Sequence, residues 1–428
     1  MKETGLLRIS LIIPTRDRAR YLKHTLAAAM EINDPDLEIL VSDNASFDDT
    51  EEMIAGIDDP RVRYTNTGAR LSMRQNFEHA LKKSTGDYVI CHGDDDGILP
   101  GQFPFLRRIL EEHKPDAMSW DYSVFGWSVD ETKVQEKGFR LVRRRVFGPP
   151  QRLDEANLRK TLEGGQIDRQ PLMPQLYHGC ISRAYLDQLA RADGEIILAR
   201  SPDTYISYRA VQVGGHFLHC SHPFTMNGTS PVSNGGSLHR VGAKDPKARV
   251  KNDFESDIVG DPVKDMFPFV SSVPCGLLST LETVRAAFPN PPLNPNFRSW
   301  YTEVILDLRK KDAETSARTL DILTNHATAH DCVGDLQAAQ GKMPAIIRRL
   351  TKSWLRNRGK LYSLRTATGA DGAKTMYDAL RMCDALLSDD YGAVLSGQTR
   401  RAAAWSNCKA RWNEGHWRLT PAPATDPT

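Results

Sequence analysis

Three consecutive aspartates, Asp94–Asp96, are the residues of this 428-residue chain whose type and spacing point most directly to chemistry. They follow an apolar run, residues 88–91, that is typical of a buried strand. Adjacent carboxylates repel one another, and a divalent cation relieves that repulsion. Hard oxygen ligands with few protein contacts suit Mg²⁺ or Mn²⁺ shared with a diphosphate. The alternative is a solvated turn of acidic residues.

A single aspartate, Asp43, follows the apolar run 37–41. Its carboxylate could accept a hydrogen bond from a nucleobase N–H or from a ribose hydroxyl. The same residue could instead form an Asx turn, with Asn44 starting the next helix. The residues themselves leave these two interpretations open.

The polar segment 14–18 follows the first apolar run, residues 9–13. Thr15 and Asp17 could contact a base or ribose there, and one of the arginines could lie near a phosphate. The alternative is an ordinary helix start that Thr15 or Asp17 caps, with the arginines in solvent.

Asp203 lies at a predicted helix start, where it could act as a general base or simply stabilise the helix dipole. His222 and His239 flank a Gly/Ser-rich stretch, residues 227–237, whose length indicates a binding loop or lid. Either histidine could bind a metal or a phosphate, although a lone histidine more often does neither.

The elements that must position these residues alternate between strand and helix in the first third of the chain. This alternation predicts an α/β fold with a mostly parallel sheet flanked by helices. Ligands of such sheets bind beyond the carboxyl ends of the strands, so the ends of the first, second and fourth strands should form one site. The predicted strands are 9–13, 37–41, 62–64, 88–91 and 116–120, and the predicted helices are 18–30, 47–57 with Ser46 as N-cap, 72–83 and 100–112.

The pattern is mixed up to residue 245 and becomes mainly helical beyond it. We predict strands at 139–146, 179–182 and 216–220, and helices at 153–162, 204–213, 300–326, 345–355 and 373–387. The predicted divisions of the chain are residues 1–120, residues 121–245, a mainly helical domain (246–420) and a disordered tail (421–428).

Composition excludes several classes of protein. The 56 Lys and Arg against 54 Asp and Glu give a net charge of +2, which argues against a chain-wide nucleic-acid surface. The seven scattered cysteines predict neither a zinc site nor a disulfide framework. Neither a signal peptide nor an apolar window of about 18 residues is recognisable, so a cytosolic protein is expected.

A basic stretch stands out in residues 342–365, which contain eight Lys and Arg and no acidic residue. Ile346, Leu350 and Trp354 recur there at four-residue steps, as on one side of a helix. Such a helix could lie on an anionic membrane surface, or it could pack its apolar side on the catalytic domain.

The first 120 residues resemble the nucleotide-sugar domain of a family 2 glycosyltransferase with the GT-A fold, and the likeness continues more weakly to about residue 240. The matching residues occur in the family's order and spacing. They are 12–18, 41–46 with Asp48, Asn76 and Ala80 on one helix, 86–88, and Asp94–Asp96 with Leu99 and Pro100.

The resemblance implies that residues 1–120 are the nucleotide-sugar-binding half and residues 121–245 the acceptor-binding half of a GT-A domain. It also implies a role for each matching position. It implies that Asp43 contacts the nucleobase, that Asp203 deprotonates the acceptor, and that Asp94–Asp96 is the DxD motif. The metal set that we predict is Asp94, Asp96 and His239, with His222 as the alternative to His239, although Asp95 could replace Asp96 because many members carry an earlier Asp where this chain has Gly93. The predicted donor-binding residues are Pro14, Thr15, Asp17, Arg18, Asp43, Asn44, Arg74, Asn76, Asp94 and Asp95.

The activity that the resemblance implies is an inverting, Mn²⁺- or Mg²⁺-dependent sugar transfer in surface polysaccharide synthesis. The expected donor is a nucleotide-diphosphate sugar, with UDP as the commonest carrier, and the expected acceptor is a hydroxyl of a glycan or lipid-linked molecule. We also expect a cytoplasmic enzyme, peripheral to the inner face of the membrane if 342–365 binds lipid, with the C-terminal helices available for a homodimer. The alternatives are a degenerate GT-A domain that binds without transfer, or a nucleotidyltransferase.

Overall fold

A computed structural model describes residues 7–127, 138–231, 261–341, 363–365 and 373–418. Thirteen strands lie within these ranges. They are β1 (Ile9–Thr15), β2 (Leu37–Asp43), β3 (Val62–Asn66), β4 (Tyr88–Cys91), β5 (Gly97–Ile98), β6 (Ala117–Trp120), β7 (Ser123–Gly126), β8 (Arg140–Val142), β9 (Pro150–Arg152), β10 (Gly179–Ser182), β11 (Phe217–Cys220), β12 (Thr225–Thr229) and β13 (Ser363–Arg365).

Fourteen α-helices lie in the same described ranges, and they cover both faces of the main sheet. They are α1 (Ala19–Met30), α2 (Thr50–Ala55), α3 (Met73–Lys83), α4 (Phe103–His113), α5 (Glu155–Glu163), α6 (Arg183–Leu189), α7 (Pro202–Val213), α8 (Val273–Ala287), α9 (Phe297–Leu308), α10 (Ala313–Ala329), α11 (Val333–Gln340), α12 (Met376–Leu387), α13 (Asp390–Leu395) and α14 (Arg401–Glu414).

The strands form two sheets. The larger has the order β3-β2-β1-β4-β10-β6-β11-β9, and the smaller has the order β13-β8-β7-β12-β5. In the larger sheet β3, β2, β1 and β4 are parallel neighbours, β6 and β11 are parallel, and β10 and β9 are antiparallel to their neighbours. The predicted α/β class, with a mostly parallel sheet flanked by helices and a mainly helical C-terminal region, is confirmed.

Side chains of the central strands alternate between two hydrophobic cores. In β1, Leu11 and Ile13 join one core, while Ile12 joins the other. The first core contains α1, α4, α12 and part of α14, and the second contains α5 to α11. Since a strand covered on both faces must be apolar at successive positions, this explains the uninterrupted apolar runs of the sequence.

The helices beyond residue 260 add to both of these cores, because α8 to α11 join the second and α12 joins the first. The domain boundaries that we predicted from composition stay predictions. The stretch 342–362 and the tail 419–428, including the predicted helix 345–355, lie outside the described residues. In the described part of the chain, no helix has the length and apolar character needed to cross a membrane.

Three predicted elements were wrong in detail. The predicted helix 300–326 is two helices, α9 and α10, because Asp312 accepts a hydrogen bond from the Thr315 N–H at 2.8 Å and starts a new helix. The predicted strand 139–146 is short, since a 3₁₀ turn, Arg143–Arg145, follows β8. The residue that precedes α2 is Asp49 rather than the predicted cap Ser46.

A buried carboxylate, Glu38, ties the edge of β2 to its neighbours. It accepts hydrogen bonds from the Ser10 hydroxyl, from the Thr85 N–H at 2.8 Å, and from the Arg63 guanidinium. Burial alone would raise the pKa of Glu38, but these donors outweigh it and lower the pKa. The ionised form therefore stabilises the fold.

We expect Glu38→Ala to lower the free energy of unfolding by about 3 kcal/mol at pH 7, the lower end for a broken buried ion pair, because Arg63 can turn into solvent. The lowered pKa means that this stabilisation is present above the ordinary range of a glutamate and is lost as the pH falls through the pKa of the folded state. Urea unfolding at pH 7 and at acid pH tests both points.

The matched control is Glu112→Ala, which removes an exposed partner of Arg108 and should change the free energy of unfolding by less than about 1 kcal/mol. Equal effects of the two substitutions at pH 7 would contradict a stabilising role for Glu38.

Candidate active site

The carboxyl ends of three strands meet at one edge of the larger sheet. The β1–β2 register pairs Thr15 with Asp43, and the β1–β4 register pairs Ile12 with Cys91. The segments that follow these strands therefore lie side by side. This confirms the predicted juxtaposition of the strand ends.

Asp94 is buried between the end of β1 and the start of α1. Its Oδ2 accepts a hydrogen bond from Thr15 Oγ1 at 2.8 Å, and its Oδ1 lies 3.0 Å from Arg18 Nη1. Arg18 also lies 3.9 Å from Asp95 Oδ1. Burial raises the pKa of Asp94, Arg18 opposes that rise, and the charge of Asp95 adds to it.

The Arg18 guanidinium is the positive group held against this cluster. Burial opposes its charge, but the carboxylates of Asp94 and Asp95 outweigh burial and raise the pKa of Arg18 above its usual value. Arg18 is therefore charged at every physiological pH. One such charge only partly offsets three adjacent carboxyl groups.

Asp96 is enclosed by donors from three segments. Its Oδ1 accepts the Gly228 N–H at 2.7 Å, and its Oδ2 accepts the Gly93 N–H at 2.9 Å together with the Tyr177 hydroxyl. Burial, reinforced by the neighbouring charge of Asp95, raises the pKa of Asp96 to about 8. The carboxyl group therefore tends to hold a proton near neutral pH.

Asp95 joins the two sheets through its backbone. Its carbonyl oxygen accepts Trp127 Nε1–H at 2.8 Å, and its Oδ2 accepts the Ser230 N–H at 3.3 Å. Behind the triplet, Thr25 Oγ1 of α1 lies 2.8 and 2.6 Å from the carbonyl oxygens of Asp94 and Asp96. The path of the acidic segment is therefore fixed from both sides.

The residue before the triplet, Gly93, has no room for a side chain. A Cβ at this position would lie 2.7 Å from the Tyr177 hydroxyl oxygen and 3.1 Å from Asp96 Oδ2. The space that an aspartate at 93 would need is occupied by Tyr177. The acidic groups available at this strand end are accordingly those of residues 94–96.

Asp43 lies at the end of β2 with both oxygens hydrogen-bonded. Oδ1 accepts the Ser46 N–H at 3.0 Å and the Ser46 hydroxyl at 2.6 Å, and Oδ2 accepts the Tyr64 hydroxyl at 2.7 Å. Asn66 Nδ2 approaches the same Oδ2 at 3.4 Å. The Asp43 carboxylate thus closes a local turn with Ser46, and Asn44 does not start the next helix, because α2 begins at Thr50.

Two other predicted donor-binding residues support neighbouring loops. Asp17 has a left-handed φ of 52° and accepts the Phe47 N–H at 2.8 Å. Asn44 pairs with the backbone of Leu71 in both directions, at 2.7 and 2.8 Å. The N–H of Ala19, at the start of α1, donates to Asp48 Oδ2 at 2.9 Å. Neither Thr15 nor Asp17 therefore caps that helix.

Of the remaining predicted donor-binding residues, Arg74 and Asn76 are buried and Pro14 is partly exposed. Asn76 exchanges hydrogen bonds with Ser42, at 2.7 and 3.2 Å, and so fixes α3 to β2. Arg74 Nη1 donates to the Ile197 carbonyl at 2.9 Å. Pro14 pairs with Ser42 in the β1–β2 register.

Asp203 lies in the first turn of α7, directly after Pro202, and its side chain is half-buried. Burial raises the pKa of Asp203, although the backbone N–H of Thr204 opposes the rise. Burial raises the pKa of the nearby Tyr122; the charge of Arg145 opposes that rise, and the charges of Asp96 and Asp203 add to it.

Only one of the two histidines that we predicted as metal ligands lies in the described part of the chain. His239 lies outside the described residues. His222 is fully buried: Nδ1 accepts the Phe147 N–H at 3.1 Å, Nε2 lies 3.1 Å from Gln102 Oε1, and the ring stacks on Tyr391 at 3.6 Å. Burial lowers the pKa of His222 well below its usual value. Both of its ring nitrogens are already engaged within the protein.

Three residues at the site escaped the sequence analysis, namely Trp127, Tyr177 and His178. His178 Nε2 lies 3.8 Å from Asp96 Oδ2, and its ring packs 4.6 Å from that of Tyr122. Burial lowers the pKa of His178 to about 3, so this ring is neutral beside the carboxylate. For Tyr177 and His178 the available signal was their position immediately before the predicted strand 179–182.

Part of this chain is similar to known glycosyltransferases. The model of the family described as "Glycosyl transferase family 2" matches residues 10–163. A Campylobacter jejuni protein named GalNAc(5)-diNAcBac-PP-undecaprenol beta-1,3-glucosyltransferase is 31% identical over 108 residues, which are 24% of this chain and 35% of that protein. The abequosyltransferase RfbV of Salmonella typhimurium is 34% identical over 109 residues, 24% of this chain and 32% of that protein.

A solved structure of S. aureus TarS 1-349 in complex with UDP-GlcNAc has a TM-score of 0.42 and 13% identity, over 78% of this chain and 90% of that one. The chain spans about a third of the length of the two curated relatives. The family match to residues 10–163 agrees with the resemblance found in the sequence.

We expect Gly228→Ala to disturb the acidic triplet directly. A Cβ on residue 228 would lie 1.7 Å from the Asp95 carbonyl oxygen, so the backbone beside Asp96 must move. Overpacking of this kind lowers the free energy of unfolding by about 1–3 kcal/mol, which urea unfolding measures.

Gly334→Ala in α11 is the control, because a Cβ there meets nothing within 4 Å. It should be neutral or stabilise the helix by up to about 1 kcal/mol, and an equal loss in both variants would contradict the argument.

Proposed function

We propose that this protein is an inverting glycosyltransferase that moves a sugar from a nucleotide-diphosphate donor, a UDP-sugar, to a hydroxyl of a glycan or lipid-linked acceptor. The observation that carries the proposal is the buried triplet Asp94–Asp96, which lies beside Arg18 at the strand ends of a segment matched by glycosyl transferase family 2. A fold that binds a dinucleotide or a nucleoside triphosphate typically has a Gly-rich loop after the first strand. This chain has residues 14–18 after β1, and none of them is glycine.

The charge of the triplet supports a divalent cation as its partner. Three carboxyl groups face one guanidinium, and burial raises the pKa values of Asp94 and Asp96. The oxygen-rich donor set fits Mg²⁺ or Mn²⁺. Asp94 and Asp96 would hold the ion, with Asp95 as the alternative to Asp96, and the ion would supply positive charge to the leaving diphosphate.

The donor nucleotide is proposed to lie along the ends of β1 and β2. Thr15 and Arg18 reach Asp94 from one side, and Asp43 with Tyr64 lies at the next strand end. To contact a nucleobase, Asp43 would use a lone pair that its bonds to Ser46 and Tyr64 leave open. We propose that Asn44, Arg74 and Asn76 act by fixing these loops, since their described partners are protein groups.

Asp203 is the proposed general base. In a single displacement the acceptor oxygen bonds to the anomeric carbon, the bond from that carbon to the diphosphate oxygen breaks, and the acceptor proton passes to the Asp203 carboxylate. Burial raises the pKa of Asp203 towards the range in which a base accepts a proton efficiently. One displacement inverts the anomeric centre, and one base is all that it requires.

The acceptor is proposed from the relatives. One of them is named for a glycan on PP-undecaprenol, and the other is an abequosyltransferase. We therefore propose a lipid-linked or polysaccharide acceptor, with synthesis of a surface polysaccharide at the cytoplasmic face of a membrane. We also propose that the basic stretch 342–365, most of which lies outside the described residues, contacts anionic lipid. A homodimer through the C-terminal helices is a further proposal.

Nucleotide binding can be measured by thermal unfolding against a panel of nucleoside diphosphates, with and without Mn²⁺. One nucleotide, UDP on our proposal, should stabilise the protein only with the metal, by about 2.7 kcal/mol at 100 times its dissociation constant. Asp96→Ala should abolish the shift. A panel without any shift would contradict the transferase proposal. Binding that is intact without any sugar transfer would favour a degenerate binding domain.

Removal of the proposed base should separate binding from chemistry. We expect Asp203→Asn to reduce kcat by about 10²–10⁴-fold, the usual contribution of a general base, while the stabilisation by nucleotide stays that of the wild type. Product formation from a radiolabelled sugar donor measures kcat. Unchanged turnover in Asp203→Asn would exclude Asp203 as the base.

A further inference from the structure

Far along the chain from the acidic triplet, two histidines and a glutamate of the C-terminal helices point at one another. Glu282 belongs to α8, His326 to α10, and His330 follows the end of α10. The spacing of four residues puts both imidazoles on one side of that helix. One ligand atom from each of the three residues lies within 4.8 Å of the other two.

The distances match the edges of a metal polyhedron better than they match hydrogen bonds. Glu282 Oε2 lies 3.4 Å from His330 Nε2 and 3.8 Å from His326 Nε2. Ligands at about 2.0–2.1 Å around a tetrahedral zinc ion are separated by about 3.3–3.4 Å along each edge. A small contraction would therefore bring all three atoms to bonding distance of one ion.

Among the described residues the buried Nε2 atom of His326 has no hydrogen-bond partner, and the whole side chain is inaccessible to solvent. Its other nitrogen, Nδ1, lies 2.7 Å from the Tyr301 hydroxyl. If Nδ1 carries the proton, its N–H donates a hydrogen bond to the Tyr301 oxygen. The lone pair of Nε2 then points towards Glu282 and His330. Metal-bound histidines are held by this kind of outer hydrogen bond.

Glu282 is a buried carboxylate beside both imidazoles, and this position fits a cation. Arg285 Nη1 lies 2.6 and 2.8 Å from the two carboxylate oxygens. Its side chain is partly exposed, so it can stay on Oε1 as an outer donor while Oε2 turns to an ion.

We propose that Glu282, His326 and His330 form a zinc site. Two imidazoles and one carboxylate are ligands that zinc accepts readily, whereas Mg²⁺ and Mn²⁺ favour sets made of oxygen. Three protein ligands leave a fourth position for water, and the partly exposed His330 provides the path of entry. The site uses no cysteine and is separate from the Mn²⁺ or Mg²⁺ site proposed at Asp94–Asp96.

The position of the site indicates a structural role. An ion there would join α8 to α10, and α8 packs against α7, whose first turn carries Asp203. Arg200, just before α7, donates to the Phe267 carbonyl at 3.1 Å and to Ser279 of α8 at 3.4 Å. Zinc would thus fix the helices that support the predicted base.

The test uses the full chain without a polyhistidine tag, stripped with chelator and dialysed against Zn²⁺. We expect one zinc per chain by elemental analysis, and an increased unfolding temperature with Zn²⁺ but not with Mg²⁺. His330→Ala should weaken zinc binding by more than about 100-fold, because loss of an outer partner alone typically weakens it by about 10–100-fold. A wild-type chain that holds no zinc would overturn the proposal.

Two matched variants make the result specific. His416→Ala removes an exposed histidine that lies 3.5 Å from Glu414 and has no third ligand among the described residues, and it should retain the zinc. Asp96→Ala should also retain it while losing nucleotide binding, which keeps this proposal distinct from the transferase. Zinc retained by His330→Ala would refute the ligand set.

If His330→Ala does not fold, cobalt substitution of the wild-type chain gives an independent measurement. Co²⁺ in a site of three nitrogen and oxygen ligands plus water gives the intense visible bands of a four-coordinate ion, and Zn²⁺ should displace it. A weak octahedral spectrum would contradict the site.

Discussion

The burial of three adjacent carboxyl groups is the constraint on which the rest of this structure depends. Ionised carboxylates lose a large solvation energy when they leave water, and their mutual repulsion adds to that loss. The chain offsets part of it with Arg18 and with backbone N–H donors from Gly93 and Gly228. The remaining imbalance appears in the raised pKa of Asp96. Such a site favours a cation, because an added positive charge would compensate the carboxyl groups that the fold itself compensates only in part.

This constraint also explains why the two sheets meet where they do. The triplet connects β4 of the larger sheet directly to β5 of the smaller one, and β12 is drawn so close to it that residue 228 must be glycine. The donors to Asp96 come from Gly228 in β12 of the smaller sheet and from Gly93 and Tyr177, which adjoin β4 and β10 of the larger sheet. Both sheets therefore contribute to closing the acidic edge.

Much of the larger sheet could be predicted from the sequence, because its parallel strands are covered on both faces and therefore read as short apolar runs. The convergence of Thr15, Asp43 and Asp94 followed from that topology alone. Tyr177 and His178 could not be placed in this way. They reach the site because β10 inserts antiparallel between β4 and β6, which brings the start of a strand, rather than its end, to the acidic edge. Local pattern carries no information about the direction in which a distant strand inserts.

The residues of the family resemblance divide into two kinds once their partners are known. Asn44, Asn76 and Asp17 are bonded to Leu71, Ser42 and Phe47, so their types are already explained by the loops that they fix. Asp95 and Asp203 have few such partners, and a folding role explains them less well. A sequence motif contains residues of both kinds, because a loop that binds a ligand also needs hydrogen bonds of its own to keep its shape. Residues whose charge the fold leaves poorly compensated are therefore better candidates for chemistry than residues that are merely part of the motif.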